Sequence, residues 1–495
     1  MSLINVNNLT FGYDGALNNV FENVSFSIDT DWKLGLIGRN GKGKTTFLKL
    51  LLGQYEYQGT ISKNVEFDYF PFEVENKKKM AIEIVGEIAP NVEDWEIIKE
   101  LNLLHSEPEI LYRNFNLLSG GEQIKILLIS LFLKDNHFLL IDEPTNHLDS
   151  ETRTHLAEYL KKKKGFILVS HDRDFLDKVV DHIISINNTN IEIQKGNFSS
   201  WQENKKAQDN FELTQNEKLK KDINRLEIAS KNTANWSNAV EKSKYKTNHS
   251  EGMIDRGYVG HQSAKMMKKS KVMEKKIEKA MEEKSNLLKN IDRNDSLKMV
   301  SLEAKQNALF FAKDFQIKYD DKSIFHKIDF EIKNGDRVAI TGKNGVGKSS
   351  LLKLMLGNKI AYNGNFKIAN DLKISYVSQS TETLRGNLKE FARQNKVDES
   401  IFKAMLSKMG ISNLEFEKDI KEMSEGQKKK VLIAKSISES ANLYIWDEPL
   451  NYIDILTRIQ IEEAILTYKP TIIFVEHDET FVKNVATKVI QLEKQ

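Results

Sequence analysis

The sequence predicts an α/β chain: two P-loop domains, each built on a parallel sheet, joined by a long antiparallel α-helical hairpin. Three observations carry this. A G-x-x-x-x-G-K-[ST] motif lies between a strand-like apolar run and a helix-compatible run. The same arrangement returns about 305 residues later, and the stretch between the copies carries two heptad-like seams.

In the first copy the apolar run Leu34 to Ile37 leads into Gly38-Arg39-Asn40-Gly41-Lys42-Gly43-Lys44-Thr45, and Thr46 to Leu52 continues as a helix. In that order the glycines let backbone N–H groups converge on a β-phosphate at a helix N-terminus. Lys44 reaches the β- and γ-phosphates, and the Thr45 hydroxyl suits Mg2+. Gly38, Asn40, Gly41, Gly43, Lys44, Thr45 and Thr46 form the first candidate nucleotide set. Gly342, Asn344, Gly345, Gly347, Lys348, Ser349 and Ser350 form the second, between Val338-Ala339-Ile340 and the helical run from Leu351.

Other features keep the same spacing. Ser119 in Leu118-Ser119-Gly120-Gly121-Glu122 pairs with Ser424 in Met423-Ser424-Glu425-Gly426-Gln427, Asp142-Glu143 with Asp447-Glu448, and His171 with His477. Leu139-Leu140-Ile141 reads as a buried strand ending in two carboxylates. Asp142 is placed to hold Mg2+ through water, and Glu143 to orient or deprotonate the attacking water; Asp447 and Glu448 repeat this. His171 ends another buried strand, within reach of a γ-phosphate. Tyr13 and Tyr319 precede the P-loops, where an adenine ring could stack, although a core tyrosine is an equal reading of each alone.

Composition narrows the class. The 495 residues, 40% hydrophobic, suffice for two or three domains, and the repeat fixes two plus a linker. The absence of cysteine excludes disulfides, iron–sulfur clusters and cysteine-ligated zinc. No apolar run reaches a membrane span and no export signal opens the chain, so a cytoplasmic protein without a membrane partner is expected. Net charge is only +2, yet residues 201–300 hold 22 Lys and Arg against 15 Asp and Glu, which points this segment toward a polyanion.

With these motifs in order, both copies resemble ATP-binding cassettes of the ABC superfamily, covering 1–200 and 303–495 around a 201–302 linker. The resemblance implies a head-to-tail pair of cassettes, an internal pseudo-dimer within a monomer, with each ATP between one P-loop and the opposite signature. One site then combines Lys44, Asp142, Glu143 and His171 with Ser424, Gly426 and Gln427. The other combines Lys348, Asp447, Glu448 and His477 with Ser119, Gly120, Gly121 and Glu122. Two departures stand out. The family's glutamine before the helical region, a magnesium ligand, is present as Gln379 but replaced by Phe72 in the first copy. Glu425 replaces a signature glycine, placing a carboxylate near a polyphosphate.

In the linker, Leu219, Ile223, Leu226, Ser230 and Thr233 form one seam and Met273, Ile277, Ala280, Lys284, Leu287 and Ile291 another. The spacing predicts helices over roughly 203–233 and 263–294, with 234–262 as a loop or short helix at the tip. Basic and aromatic residues mix around that tip: Trp236, Lys242, Lys244, Tyr245, Lys246, Arg256, Tyr258, Lys265, Lys268, Lys269 and Lys271. Such a mixture can grip RNA by stacking and phosphate contact; a solvated charged coiled coil is the alternative.

A two-cassette chain with a basic helical hairpin resembles the ABC-F proteins, which act on ribosomes. The stretches Trp32 to Gly41 and Leu443 to Tyr452 resemble, more narrowly, the Lsa/Vga-type antibiotic-resistance members. That resemblance implies an ATPase whose closed form enters the tRNA exit site, its hairpin tip reaching along rRNA and tRNA toward the peptidyl transferase centre. Lincosamides, pleuromutilins and group A streptogramins would be dislodged there. A housekeeping ABC-F translation factor, a twin-cassette transporter subunit and a cassette-type DNA-repair ATPase are the other readings.

Overall fold

The computed structural model describes residues 2–15, 19–145, 148, 150–187, 190–243, 256–289, 296–319, 322–343 and 345–494. The chain divides into two compact units, Met1–Trp201 with Asn294–Gln495, and Gln202–Arg293.

The first unit contains both cassettes. In the first, six strands lie in the spatial order Glu66–Phe70, His137–Asp142, Phe166–Val169, Lys33–Ile37, His182–Ile186, Ile191–Lys195, the last antiparallel and the others parallel. The interiors of the central strands are largely apolar because helices or a second sheet cover both faces. The second cassette repeats the order with Ile374–Val377, Leu443–Asp447, Ile472–Val475, Arg337–Thr341 and Lys488–Gln491, all parallel. In both, the P-loop, the acid pair and the histidine leave the carboxyl ends of three adjacent parallel strands. Crossover topology places ligand sites at that edge.

Antiparallel strands pack over one face of each core sheet, around Leu3–Phe11 in the first cassette and Ala308–Tyr319 in the second. The signature helices Gly120–Phe132 and Glu425–Ser438 lie on the other face. Trp446 is wholly buried there, and its Nε1 donates to Ser436 Oγ at 2.8 Å, which satisfies the ring's polar atom. The cassettes meet directly: Ile455 of the second is buried in the core of the first. Leu297 and Met299 are buried in the second cassette's core, and Tyr444 donates to Val300 O at 2.9 Å, so the described segment from 296 packs with that cassette.

The second unit takes the helix Phe198–Ser243 from Gln202 onward and the helix Arg256–Lys289. At 1.5 Å per residue they are about 70 and 50 Å long. The expected helix bounds, roughly 203–233 and 263–294 around a loop or short helix, are corrected, because helix runs on to 243 and resumes at 256. The seam continues through that region with serine in place of apolar side chains. Ser230 and Ser270 hydroxyls lie 3.0 Å apart, and Ser237 donates to Ser263 O at 3.0 Å, all four residues being buried. A search for apolar periodicity misses such a seam. Among the described residues no helix is long and apolar enough to cross a membrane.

Candidate nucleotide sites at the cassette interface

Each P-loop enters its helix through a left-handed glycine. Gly43 has φ 95°, and a Cβ there would lie 2.7 Å from Val20 Cγ1, so both conformation and space demand glycine. Gly347 repeats the turn with φ 99°. Lys44 folds back over its loop, Nζ donating to Gly38 O at 2.8 Å, and Lys348 does the same to Gly342 O at 2.8 Å. Burial lowers the pKa of both lysines, while nearby carboxylates oppose it.

Asp142 accepts from Thr45 Oγ1 at 3.4 Å and from Tyr69 OH at 2.9 Å. Burial raises its pKa; the Tyr69 hydrogen bond and Lys44 work the other way. Asp447 is likewise raised by burial, with a hydrogen bond from Ser349 opposing. Hydroxyl and carboxylate oxygens side by side are the donor set a hard cation takes. The unpartnered buried oxygen Asp447 Oδ1 leaves acceptor capacity beside Ser349, so the residues present fit Mg2+ on a nucleotide. Tyr13 hydrogen-bonds Thr46 Oγ1 at 2.7 Å, and Tyr319 donates to Ser350 Oγ at 3.2 Å. Both rings therefore stand exposed beside the start of the P-loop helix.

The catalytic candidates sit at left-handed backbone positions, Glu143 at φ 52° and Glu448 at φ 47°. His171 Nε2 lies 3.2 Å from Glu143 Oε1; His477 Nε2 lies 3.6 Å from Glu448 Oε1. Beyond this the two differ. Gln379 and Asn451 donate to Glu448 Oε2 at 2.9 and 2.7 Å, whereas Phe72 turns its ring against the first cassette's core and brings no donor. Burial, reinforced by Asp142, pushes Glu143 up to about 8; burial, with Lys44 and Arg458 nearby, drops His171 well below its ordinary value. The His477 hydrogen bond holds Glu448 below the usual carboxylate range despite burial.

The two signatures begin with Ser119 and Ser424 as helix N-caps, each in a capping box with Glu122 or Gln427. Gly426 meets the first P-loop: a Cβ there would lie 2.7 Å from Asn40 Nδ2 and 2.5 Å from Tyr452 O. Asn40 itself donates through Nδ2 to Tyr452 O at 2.8 Å and through its backbone N–H to Asp454 Oδ2 at 3.2 Å. Gly121 faces Leu148 and Thr152 of its own cassette, and Asn344, the counterpart of Asn40, lies outside the described residues. Glu425 differs from expectation. Its carboxylate is engaged by the Thr381 hydroxyl and by Lys428 Nζ at 2.9 Å, within its own cassette, which lowers its pKa.

A cavity of about 460 Å3 opens between the cassettes. Lys348, Ser349, Gln379 and Glu448 line it from one side, Glu143 and His171 from the other. Several residues here went unnoticed in the sequence. Asp454 is fully buried with Lys430 at 2.7 Å; burial alone would raise it, but Lys430 and Lys44 hold it well below its ordinary value. Tyr69, Asn451 and Glu476 were also missed. Superposing the two copies would have exposed the last, since Val169-Ser170-His171 aligns with Val475-Glu476-His477.

In the hairpin, Trp236 is 67% exposed on the first helix, and Lys242, Lys265, Lys268, Lys269 and Lys271 are exposed. Arg256 and Tyr258 are helical, and Lys244, Tyr245 and Lys246 lie outside the described residues.

The ABC transporter family model matches residues 21–146 and again 325–451. The chain is 30% identical to the ATP-binding protein Uup of Buchnera aphidicola over 517 aligned positions, covering all of this chain and 81% of Uup. It is 29% identical to the ribosome protection protein VmlR of Bacillus subtilis, covering 95% of this chain and 83% of VmlR. The solved structure of the archaeal ribosome recycling factor aABCE1, in complex with stalk protein aP1, matches with a TM-score of 0.60 at 18% identity. That match covers 99% of this chain and 88% of aABCE1, a likeness of fold. With two matched ATPase cassettes and full-length relatives that include Arabidopsis ABC transporter F family member 2 at 25% identity over 99% of this chain and 76% of that protein, the chain is an ABC ATPase of the ABC-F family.

Proposed function

We propose that the chain binds ribosomes in an ATP-dependent manner and protects the peptidyl transferase centre from lincosamides, pleuromutilins and group A streptogramins. In this reading residues 1–200 and 303–495 are the ATPase cassettes and 201–302 the RNA-contacting linker. Lys44, Thr45 and Asp142 hold one Mg-ATP with Ser424 and Gly426 opposite; Lys348, Ser349, Gln379 and Asp447 hold the other, with Ser119, Gly120 and Gly121 opposite. Bound Mg2+ neutralises phosphate charge. Glu143 and Glu448 orient or deprotonate water, His171 and His477 steady them, and hydrolysis releases the protein. Trp236 and the surrounding lysines grip rRNA and tRNA at the exit and peptidyl sites.

The observation that carries this reading is the similarity to VmlR along 95% of the chain, hairpin included. The exposure of Trp236 and the linker lysines supports it, since a stacking ring and cations free in solvent are what irregular RNA requires. The test is ribosome co-sedimentation of the Glu143→Gln, Glu448→Gln double variant, with and without ATP, across a salt series. ATP-dependent binding that weakens with salt is expected. No binding under any condition removes the ribosomal reading.

A second reading is a housekeeping ABC-F factor acting on stalled ribosomes, because membership of the family by itself carries no drug-protective role. Expression in a drug-susceptible host separates the two, because only the protective role raises the inhibitory drug concentration.

A further inference from the structure

Glu476 immediately precedes His477, and it is buried at 6% exposure on the wall of the interface cavity. Its two oxygens accept from two backbone N–H groups that belong to different loops. Oε1 takes Leu450 N at 2.7 Å; Oε2 takes His477 N at 3.2 Å. Leu450 is followed by Asn451, whose amide donates to Glu448 Oε2, while the His477 imidazole stands at Glu448 Oε1. One carboxylate thus fixes the roots of two of the three side chains arrayed on Glu448. Gln379, the third, comes from another strand.

Among the described residues the first cassette lacks this device, and Asn146, the counterpart of Asn451, lies outside them. The corresponding residues Thr145 and Ser170 pair only by their hydroxyls, at 3.2 Å, and Ser170 Oγ accepts from Asp172 N instead of from the histidine. A carboxylate buried this deeply costs desolvation energy, which two amide donors and the nearby Arg458 guanidinium offset. The hydroxyl pair of the first cassette carries no such desolvation cost and makes no link to the histidine's backbone.

We propose that Glu476 is a positioning residue for ATP hydrolysis in the second cassette, clamping the loop at Leu450 to the loop at His477 so that Asn451 and His477 register on Glu448 together. The inference rests on the ATPase assignment of this site. It goes beyond that assignment in making the second cassette's turnover depend on a side chain that acts on Glu448 through the backbone of two loops.

The test uses the full chain carrying Glu476→Gln or Glu476→Ser, the latter installing the first cassette's residue. In otherwise unaltered protein, kcat is expected to fall roughly tenfold for Gln and up to about a hundredfold for Ser in the second cassette's share of turnover, the scale of a displaced catalytic group. ATP affinity, read with a fluorescent nucleotide, stays within about twofold, because the P-loop is untouched. The same substitutions are then made in Glu143→Gln and Glu448→Gln backgrounds and followed by single-turnover ATP cleavage. Loss in the first background and none in the second is the expected pattern. Equal loss in both, or a matched loss of affinity, shows a general structural role and overturns the proposal, as does an unchanged kcat. The unsubstituted chain is the control for the assignment beneath: if it cleaves no ATP, the ATPase reading fails by itself.

Discussion

The two cassettes carry the same motifs and hold their catalytic glutamates differently. Glu448 is gripped by Gln379, Asn451 and His477, with Glu476 behind two of them. Glu143 has His171 beside it, Phe72 where the glutamine would be, and an Oε1 atom that is buried without a hydrogen bond. A shared motif therefore specifies which residue is present and leaves open how firmly it is aimed. Aim is decided by residues on other strands, and these have diverged between the copies.

The largest effect expected from this difference is at Glu448 itself. Glu448→Gln should slow ATP cleavage by about a thousandfold at the second cassette, within the range for removing a general base, and Glu143→Gln should cost the chain less. Single-turnover cleavage by each variant checks this; equal losses would erase the distinction. Next comes the interface: Gly426→Ala drives a Cβ to 2.5 Å from Tyr452 O and 2.7 Å from Asn40 Nδ2. Overpacking of that kind costs about 1 to 3 kcal/mol. ATP-driven closure, followed by an interface fluorescence pair, should weaken correspondingly while ATP still binds to the isolated P-loops.

Exchanging the diverged residue itself sharpens the comparison. Gln379→Phe gives the second cassette the first one's residue and should cut its turnover about tenfold, the worth of one charge-assisted hydrogen bond. If Phe72→Gln raises turnover in a Glu448→Gln background, the first cassette is limited by that substitution alone. The smallest effect concerns pH. Burial pushes Glu476 up to about 7 from its ordinary 4.5, with Arg458 and Asp478 acting on it in opposite senses. Its folded pKa exceeds its unfolded one, so the folded chain binds the extra proton between about pH 4.5 and 7. Stability therefore falls as pH rises through that window. Melting curves should show this slope, and Glu476→Gln should flatten it by a few degrees.

Most of the fold was legible because its signals are local. A P-loop is contiguous, a buried parallel strand is an unbroken apolar run, and a duplicated chain displays its own alignment. Asp454 was not legible as a partner of Asn40 because the contact spans 414 positions and depends on how the cassettes meet. Tyr69 looked like one more strand aromatic until its hydroxyl was seen on Asp142. The helical reach to Ser243 and back from Arg256 was hidden because Ser237 and Ser263, one heptad tipward of Ser230 and Ser270, keep the spacing without apolar side chains. Glu425 shows the converse: the sequence identified an anomalous carboxylate correctly, but only packing tells that Thr381 and Lys428 turn it aside.

The serine seam also sets a dimension. Interaxial distance between packed helices runs from about 8 to 10 Å according to the side chains between them, and hydroxymethyl groups permit the short end of that range. The half of the hairpin holding Ser230–Ser270 and Ser237–Ser263 is accordingly a slender rod, its girth limited by backbone instead of by interleaved leucines. Leucine at those four positions would overpack the seam and force the helices apart, so the narrow calibre of this part of the chain depends on its small side chains.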